Sequence, residues 1–133
     1  IAVVLLVIIT LLVQSFLFKT KNAPLQNLRT ESSDQRELEV LTNNVSEEVL
    51  VAQNIEITFN KELSDKDIVV NSTPEETLST EVLGNLLIVK PANQIWQYNT
   101  SYKIIVNQVR SLDGKSLLSP YTIGFKTQGY SGI

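Results

Sequence analysis

The chain has 133 residues, enough for one domain of ordinary size with an appendage. Its 11 basic and 14 acidic residues give a formal net charge of −3, which argues against nucleic acid as a partner because no basic surplus neutralises phosphates. Cysteine, histidine and methionine are absent, so disulfides, thiolate or imidazole metal sites, haem ligation and Ser-His or Cys-His catalysis are excluded. The composition predicts a protein that is not an enzyme and holds no metal or cofactor.

The first segment, residues 1–18, is an uncharged apolar run interrupted only by Thr10, Gln14 and Ser15. As a helix it would rise about 27 Å, close to the roughly 30 Å hydrocarbon core of a bilayer. The run therefore predicts a transmembrane helix that contacts membrane lipid.

A cleavable signal peptide and a buried core helix are the competing interpretations of the same run. A signal peptide has a shorter apolar region, of about 7 to 15 residues, and a small-x-small cleavage site. Here Lys19 follows directly, and Ala23 is succeeded by Pro24. The start at Ile1 is compatible with missing upstream residues or with a removed leader. Lys19 and Lys21 flank only one side of the run, so charge leaves the membrane orientation open.

Residues 19–37 are predicted to be a polar linker. Only Ala23, Leu25 and Leu28 are apolar, and Pro24 interrupts any continuous helix. A segment with so few apolar residues cannot bury a face, which favours a solvated spacer.

Beyond Leu38 the apolar residues alternate with polar ones, which is the pattern of strands with one buried face. Turn residues and prolines separate the candidate segments. The clear segments are 55–59, 102–106, 121–127, 86–90 and 67–70, and the weaker ones are 38–42, 49–51 and 78–83. The pattern predicts an all-β, antiparallel sandwich of about seven strands over residues 38–128, followed by a tail at 129–133.

Several of these residues resemble the SbsA-type bacterial Ig-like domain over about residues 38–128. The matching elements are Thr58-Phe59-Asn60, Pro91, Tyr102, Asp113-Gly114-Lys115 and Phe125-Lys126-Thr127. The chain departs from the family pattern in having Asp and Gly adjacent in the turn and in lacking a Pro-x-x-Gly opening. The resemblance implies an extracytoplasmic Ig-like sandwich, with structural roles for Phe59, Trp96, Tyr102, Asp113, Gly114 and Phe125.

Two aromatic residues have a physical interpretation of their own. A tyrosine that opens a late strand can bury its ring and return its hydroxyl to the preceding loop, so Tyr102 is expected to contact residues 93–101. Trp96 lies in that loop, and we expect it to fill one end of the core, although a sugar- or peptide-stacking role is the alternative. The predicted core comprises Ile55, Ile57, Phe59, Ile88, Trp96, Tyr102, Ile104, Val106, Ile123 and Phe125.

Carboxylates and serine-lysine pairs are the remaining candidates for chemistry. Calcium requires several oxygen ligands from adjoining loop positions, and no D-x-D-x-D-G spacing occurs. The acidic residues are scattered over different loops, which favours a solvated surface; they are Asp65, Asp67, Glu75, Glu76 and Asp113. No motif supports Ser-Lys catalysis.

These observations predict a non-catalytic, membrane-anchored structural or interaction module at the cell surface. We expect a single-pass protein of the cell membrane with an extracytoplasmic domain, whose partners are other envelope proteins or cell-wall polymer; its oligomeric state is left open. One alternative is a pilin-like subunit whose N-terminal helix packs in a filament core, although Leu5 stands where many bacterial pilins have Glu, and Pro24 breaks the helix. The other is a carbohydrate-binding module.

Overall fold

The alternating segments of the sequence form eight strands in the computed structural model, which describes residues 35–132. No other regular secondary structure occurs in that range. The strands are β1 (Val40–Asn43), β2 (Glu48–Val49), β3 (Ile55–Phe59), β4 (Val69–Thr73), β5 (Leu78–Leu83), β6 (Leu86–Pro91), β7 (Ser101–Gln108) and β8 (Tyr121–Thr127).

Two four-stranded sheets contain these strands, in the orders β1-β3-β6-β5 and β2-β8-β7-β4. Neighbouring strands are antiparallel except β2 and β8, which are parallel. The first strand of the domain is divided, so that β1 belongs to one sheet and β2 to the other. This strand arrangement is that of an immunoglobulin-like sandwich. The predicted all-β, two-sheet fold is confirmed for the described residues.

The core lies between the sheets and is built by every second residue of the central strands. On β3, for example, Ile55, Ile57 and Phe59 are fully buried, whereas Glu56 and Thr58 are partly exposed. All ten predicted core residues are buried. Nine of them belong to the central cluster, whereas Ile88 does not.

Ile88 is buried, as predicted, but lies outside the central cluster. Its neighbours Leu87 and Val89 belong to the central cluster, so the alternation of the strand puts Ile88 on the opposite face. There it pairs with Glu56 and Glu81 on the flanking strands.

The strand predicted at residues 67–70 is observed later, at Val69–Thr73. Ile68 is a partly buried loop residue that packs against the core. Val69 and Val70 begin the edge strand, and the polar residues 71–73 complete it. The apolar run therefore indicates the packing site and the start of the strand but not its polar end.

The two ends of the sandwich differ in their loops. Segments 50–54, 74–77, 92–100 and 128–132 lie at what we call the Trp96 end. Segments 35–39, 60–68, 84–85 and 109–120 lie at the Asp113 end. The polypeptide therefore enters the domain at the Asp113 end and leaves it at the Trp96 end.

Within residues 35–132 no helix has the length and apolar character that crossing a membrane requires. The transmembrane helix predicted at residues 1–18 lies outside the described residues, as does the predicted linker up to residue 34. Both stay predictions.

Candidate functional site

Three aromatic rings pack together at the Trp96 end. The ring of Trp96 meets those of Tyr102 and Phe125 edge-on, with centroid distances of 5.0 and 5.3 Å, and Tyr102 stacks on Phe125 at 5.5 Å. Trp96 is 1% exposed, and its Nε1–H donates to the carbonyl of Gln53 at 2.8 Å. Because its polar atom is bonded and its faces are covered, Trp96 offers no stacking surface to a ligand.

The hydroxyl of Tyr102 joins two loops at this end. It accepts a hydrogen bond from the backbone N–H of Gln97 at 3.1 Å, which is the expected contact with the preceding loop. It also donates to the carboxylate of Glu76 at 2.7 Å, and the side-chain amide of Gln97 donates to the same oxygen at 2.8 Å. Burial, together with the hydrogen bond to Glu76, raises the pKa of Tyr102 to about 12.

Replacing Tyr102 by Phe should change how the protein responds to alkali. The unfolded tyrosine ionises near pH 10 and the folded one near pH 12, so its contribution to stability is present below pH 10 and lost as the pH rises to 12. We expect Tyr102→Phe to lower the free energy of unfolding by about 0.5–1.5 kcal/mol at pH 8, and the difference to shrink above pH 10.

Urea unfolding at several pH values, followed through the fluorescence of the single tryptophan, measures this difference. Tyr130→Phe is the matched control, because Tyr130 is 75% exposed and no hydrogen bond of its hydroxyl occurs among the described residues. If the difference in unfolding free energy between wild type and Tyr102→Phe stayed constant from pH 8 to 12, the raised pKa of Tyr102 would be contradicted.

Thr127 is a buried polar residue that fastens the end of β8 to the loop 92–100. Its hydroxyl donates to the carbonyl of Gln97 at 2.6 Å and accepts from the N–H of Thr100 at 2.9 Å. The side chain is 1% exposed. The Phe-x-Thr pattern identified the position, but its hydrogen-bonding partners come from a distant loop.

At the Asp113 end, a carboxylate and a buried lysine join two loops. The Nζ of Lys61 lies 2.6 Å from Oδ2 of Asp113, and the Ser111 hydroxyl donates to the other carboxylate oxygen. The Oγ of Ser111 also accepts a hydrogen bond from the N–H of Lys115 at 2.9 Å. The carbonyl of Ser111 accepts one from the N–H of Gly114 at 3.0 Å. Gly114 has φ +86°, a conformation that a residue with a Cβ adopts only with strain.

This cluster fits a structural role better than a catalytic one. The Ser111 proton is directed at the carboxylate of Asp113, and Lys61 is paired with that same carboxylate, so neither side chain is directed at a reacting group. In the range 35–132, no group of three or more acidic side chains could hold a metal ion. The Lys61 ammonium and the Ser111 hydroxyl hold the pKa of Asp113 below its usual value.

The low pKa of Asp113 predicts a contribution to stability that is lost in acid. This contribution is present above about pH 4, where the unfolded carboxyl ionises, and disappears as the pH falls through the lower folded pKa. We expect Asp113→Asn to be less stable than wild type at pH 7, with the difference narrowing below about pH 4. Acid-dependent urea unfolding measures it, with the exposed Asp65→Asn as control. Equal destabilisation at pH 7 and pH 3 would contradict the prediction.

Phe59 lies at the end of β3, fully buried, and its backbone is held by Asn85 from the turn between β5 and β6. The residues singled out in the sequence thus separate into two groups: Trp96, Tyr102 and Phe125 meet at one end, while Asp113 and Gly114 lie in a loop at the other. The structure does not bring these two groups together.

The exposed aromatic residues are a feature that the sequence reasoning missed. Tyr98 and Tyr130 are 40% and 75% exposed, and their rings meet edge-on at 5.2 Å. Ile95 and Leu50, also exposed, belong to the loops of the same end. This end is the candidate binding surface of the described domain.

The comparisons with known proteins agree with this geometry. No curated protein matches the chain. The family model of the bacterial Ig-like domain matches residues 36–127, which is most of the chain and nearly all of the two-sheet unit. The chain therefore belongs to the bacterial Ig-like domain family.

Proposed function

We propose that this chain is a non-catalytic structural or interaction module at the bacterial cell surface, anchored in the membrane by residues 1–18 and spaced from it by residues 19–37. Membership of the bacterial Ig-like family supports a surface or interaction role. The uncharged apolar run supports the anchor.

The non-catalytic proposal rests on the partners of two carboxylates in the domain. Asp113 is engaged with Lys61 and Ser111, and Glu76 is engaged with Tyr102 and Gln97. Each of these carboxylates fastens one loop to another. This engagement of the two carboxylates supports a role in which the domain presents surfaces to its partners.

Two kinds of surface are available for protein contacts. The edge strands β4 and β5 each have one side without a neighbouring strand in the described sheets, and such edges accept an added strand. At the Asp113 end, a shallow groove of about 360 Å³ has mainly apolar walls that include Leu38, Val40 and Leu118, the last 83% exposed. Contacts of this size suit weak or repeated interactions.

Fractionation and protease shaving of intact cells test the proposal. We expect the full chain in the membrane fraction, released only by detergent, and its domain cleaved by protease added outside the cells. A domain that stays protected, or a chain recovered without detergent with residues 1–18 intact, would overturn it.

The pilin-like alternative has a separate outcome. Electron microscopy of material sheared from cells would reveal ordered fibres that contain this chain. Extraction by detergent as a monomer or small oligomer, without fibres, supports the single anchor.

A further inference from the structure

Three of the four segments at the Trp96 end lack charged side chains, and the fourth, 74–77, carries Glu75 and Glu76, the latter bonded to Tyr102 and Gln97. Segments 50–54, 92–100 and 128–132 contain no Asp, Glu, Lys or Arg, in a chain with 25 charged residues. Their polar groups are mainly amides and hydroxyls, and their exposed rings are Tyr98 and Tyr130. The loops of the Asp113 end, in contrast, carry acidic and basic residues throughout.

From this end we propose that Tyr98 and Tyr130 form a binding corner for the neutral sugar rings of a polysaccharide, such as an envelope glycan. The inference rests on the proposed surface function and names a partner for it. The two ring planes meet at 79°, with 5.2 Å between centroids, so they form two adjoining walls. One ring can support the C–H face of a pyranose while the other closes the side.

The fold fixes the backbone of the loop that carries Tyr98 and that of the tail as far as Gln128, two residues before Tyr130. Gln128 holds the tail in place: its N–H donates to the carbonyl of Val49 at 2.9 Å, and its side-chain oxygen accepts from the N–H of Val51 at 3.0 Å. Its carbonyl accepts from the N–H of Asn99 at 2.8 Å, which joins the tail to the loop that carries Tyr98. The loop beneath Tyr98 and the start of the tail are therefore preorganised, so binding orders little additional chain there.

The loop beneath Tyr98 is also held by local contacts. The hydroxyl of Thr100 donates to the Tyr98 carbonyl at 2.8 Å. Asn99, between them, has φ +49°, the left-handed conformation that asparagine tolerates better than most residues. These contacts keep Tyr98 at the surface while Trp96, two residues earlier, is buried.

The chemistry of the surroundings favours a neutral sugar over other occupants. Asn99 follows Tyr98 directly and Gln128 precedes Tyr130 by two positions, so the sequence neighbours of both rings include uncharged amides, which pair with hydroxyls as donors and acceptors. A phosphorylated or strongly charged ligand would find no partner of opposite charge in these three segments.

The test uses the full chain, kept in solution with a detergent that contains no sugar. Tetramers of N-acetylglucosamine and hexamers of glucose are the probes, and titration calorimetry measures binding. We expect saturable binding of at least one probe. Tyr98→Ala and Tyr130→Ala should each weaken the affinity by up to about tenfold, which corresponds to the free energy of one aromatic contact.

Three controls separate loss of the site from loss of the fold. Tyr98→Phe keeps the ring and should retain most of the affinity. Leu118→Ala alters an exposed apolar residue at the opposite end and should leave the affinity unchanged. Thermal unfolding of Tyr98→Ala and Tyr130→Ala should match wild type closely, because both rings are substantially exposed.

Absence of saturable binding to both probes would overturn the inference, and so would binding that survives in the Tyr98→Ala/Tyr130→Ala double variant. Sedimentation velocity provides a further contrary outcome: self-association lost in the double variant would make the corner an interface between copies of the chain. Protease shaving distinguishes the two levels of failure. A shaved domain without sugar binding overturns only the corner, whereas a protected domain overturns the surface function itself.

Discussion

Replacing Trp96 by Ala is expected to lower the free energy of unfolding by about 3–5 kcal/mol. The substitution removes the largest fully buried side chain, leaves a cavity against Tyr102 and Phe125, and leaves the carbonyl of Gln53 without its indole donor. The free energy of unfolding of a small domain is only about 5–15 kcal/mol in total. The variant should therefore be partly unfolded at physiological temperature.

Far-UV circular dichroism during urea unfolding measures the Trp96→Ala effect, because the fluorescent probe is lost with the side chain. Tyr98→Ala is the matched control in the same loop and should change stability little. A Trp96→Ala variant within about 1 kcal/mol of wild type would show that Trp96 is not part of the core. If that variant also lost binding to a ligand, Trp96 would be a surface site.

Thr127→Val is expected to cost about 1–3 kcal/mol, although valine has nearly the same shape as threonine. The hydroxyl of Thr127 satisfies the N–H of Thr100 and the carbonyl of Gln97, and valine leaves both without this partner in a site that is 1% exposed. The cost therefore arises from unpaired backbone groups and not from lost volume.

Urea unfolding followed by the fluorescence of Trp96 measures the Thr127→Val effect. Thr122→Val on the same strand is the control, since Thr122 is exposed and we expect a change within about 0.5 kcal/mol. If both variants had equal stability, the hydroxyl of Thr127 would contribute nothing to the closure of β8.

Alternation of side chains accounts for the success of the sequence in predicting β3, β7 and β8. In each of these strands one face is buried and the other is partly or fully exposed to solvent. Apolar and polar residues therefore alternate visibly in the sequence. The alternation gives no information for β6, because Leu86–Val89 are all apolar and the run does not reveal which residues face the core. For that reason the sequence does not distinguish Ile88, which is buried outside the central cluster, from Leu87 and Val89 within it.

Short and polar strands were harder to predict. β2 has two residues, too few to display a period, and its parallel pairing with β8 depends on residues 78 positions away. β4 is an edge strand that ends in polar residues, so the apolar run 68–70 predicts only its first two residues.

The contacts at the candidate site come from tertiary structure. Tyr98 and Tyr130 lie 32 positions apart, and it is Gln128 that brings the tail to the loop. Lys61 and Asp113 likewise come from loops that follow different strands. The sequence marks the residue types in each pair, but no local pattern indicates which of them meet.

The parallel pairing of β2 with β8 determines how the domain would bear mechanical load. The chain enters at the Asp113 end and leaves at the Trp96 end, so tension reaches the start of β2 through β1 and residues 44–47, and pulls β8 by its finish. Strands loaded in this direction slide along each other, and their hydrogen bonds resist together instead of opening one by one. The contacts of Gln128 with Val49 and Val51 lie in the same load path and add to this resistance. We therefore expect a domain with this layout to resist small pulling forces and to unfold abruptly at a threshold force.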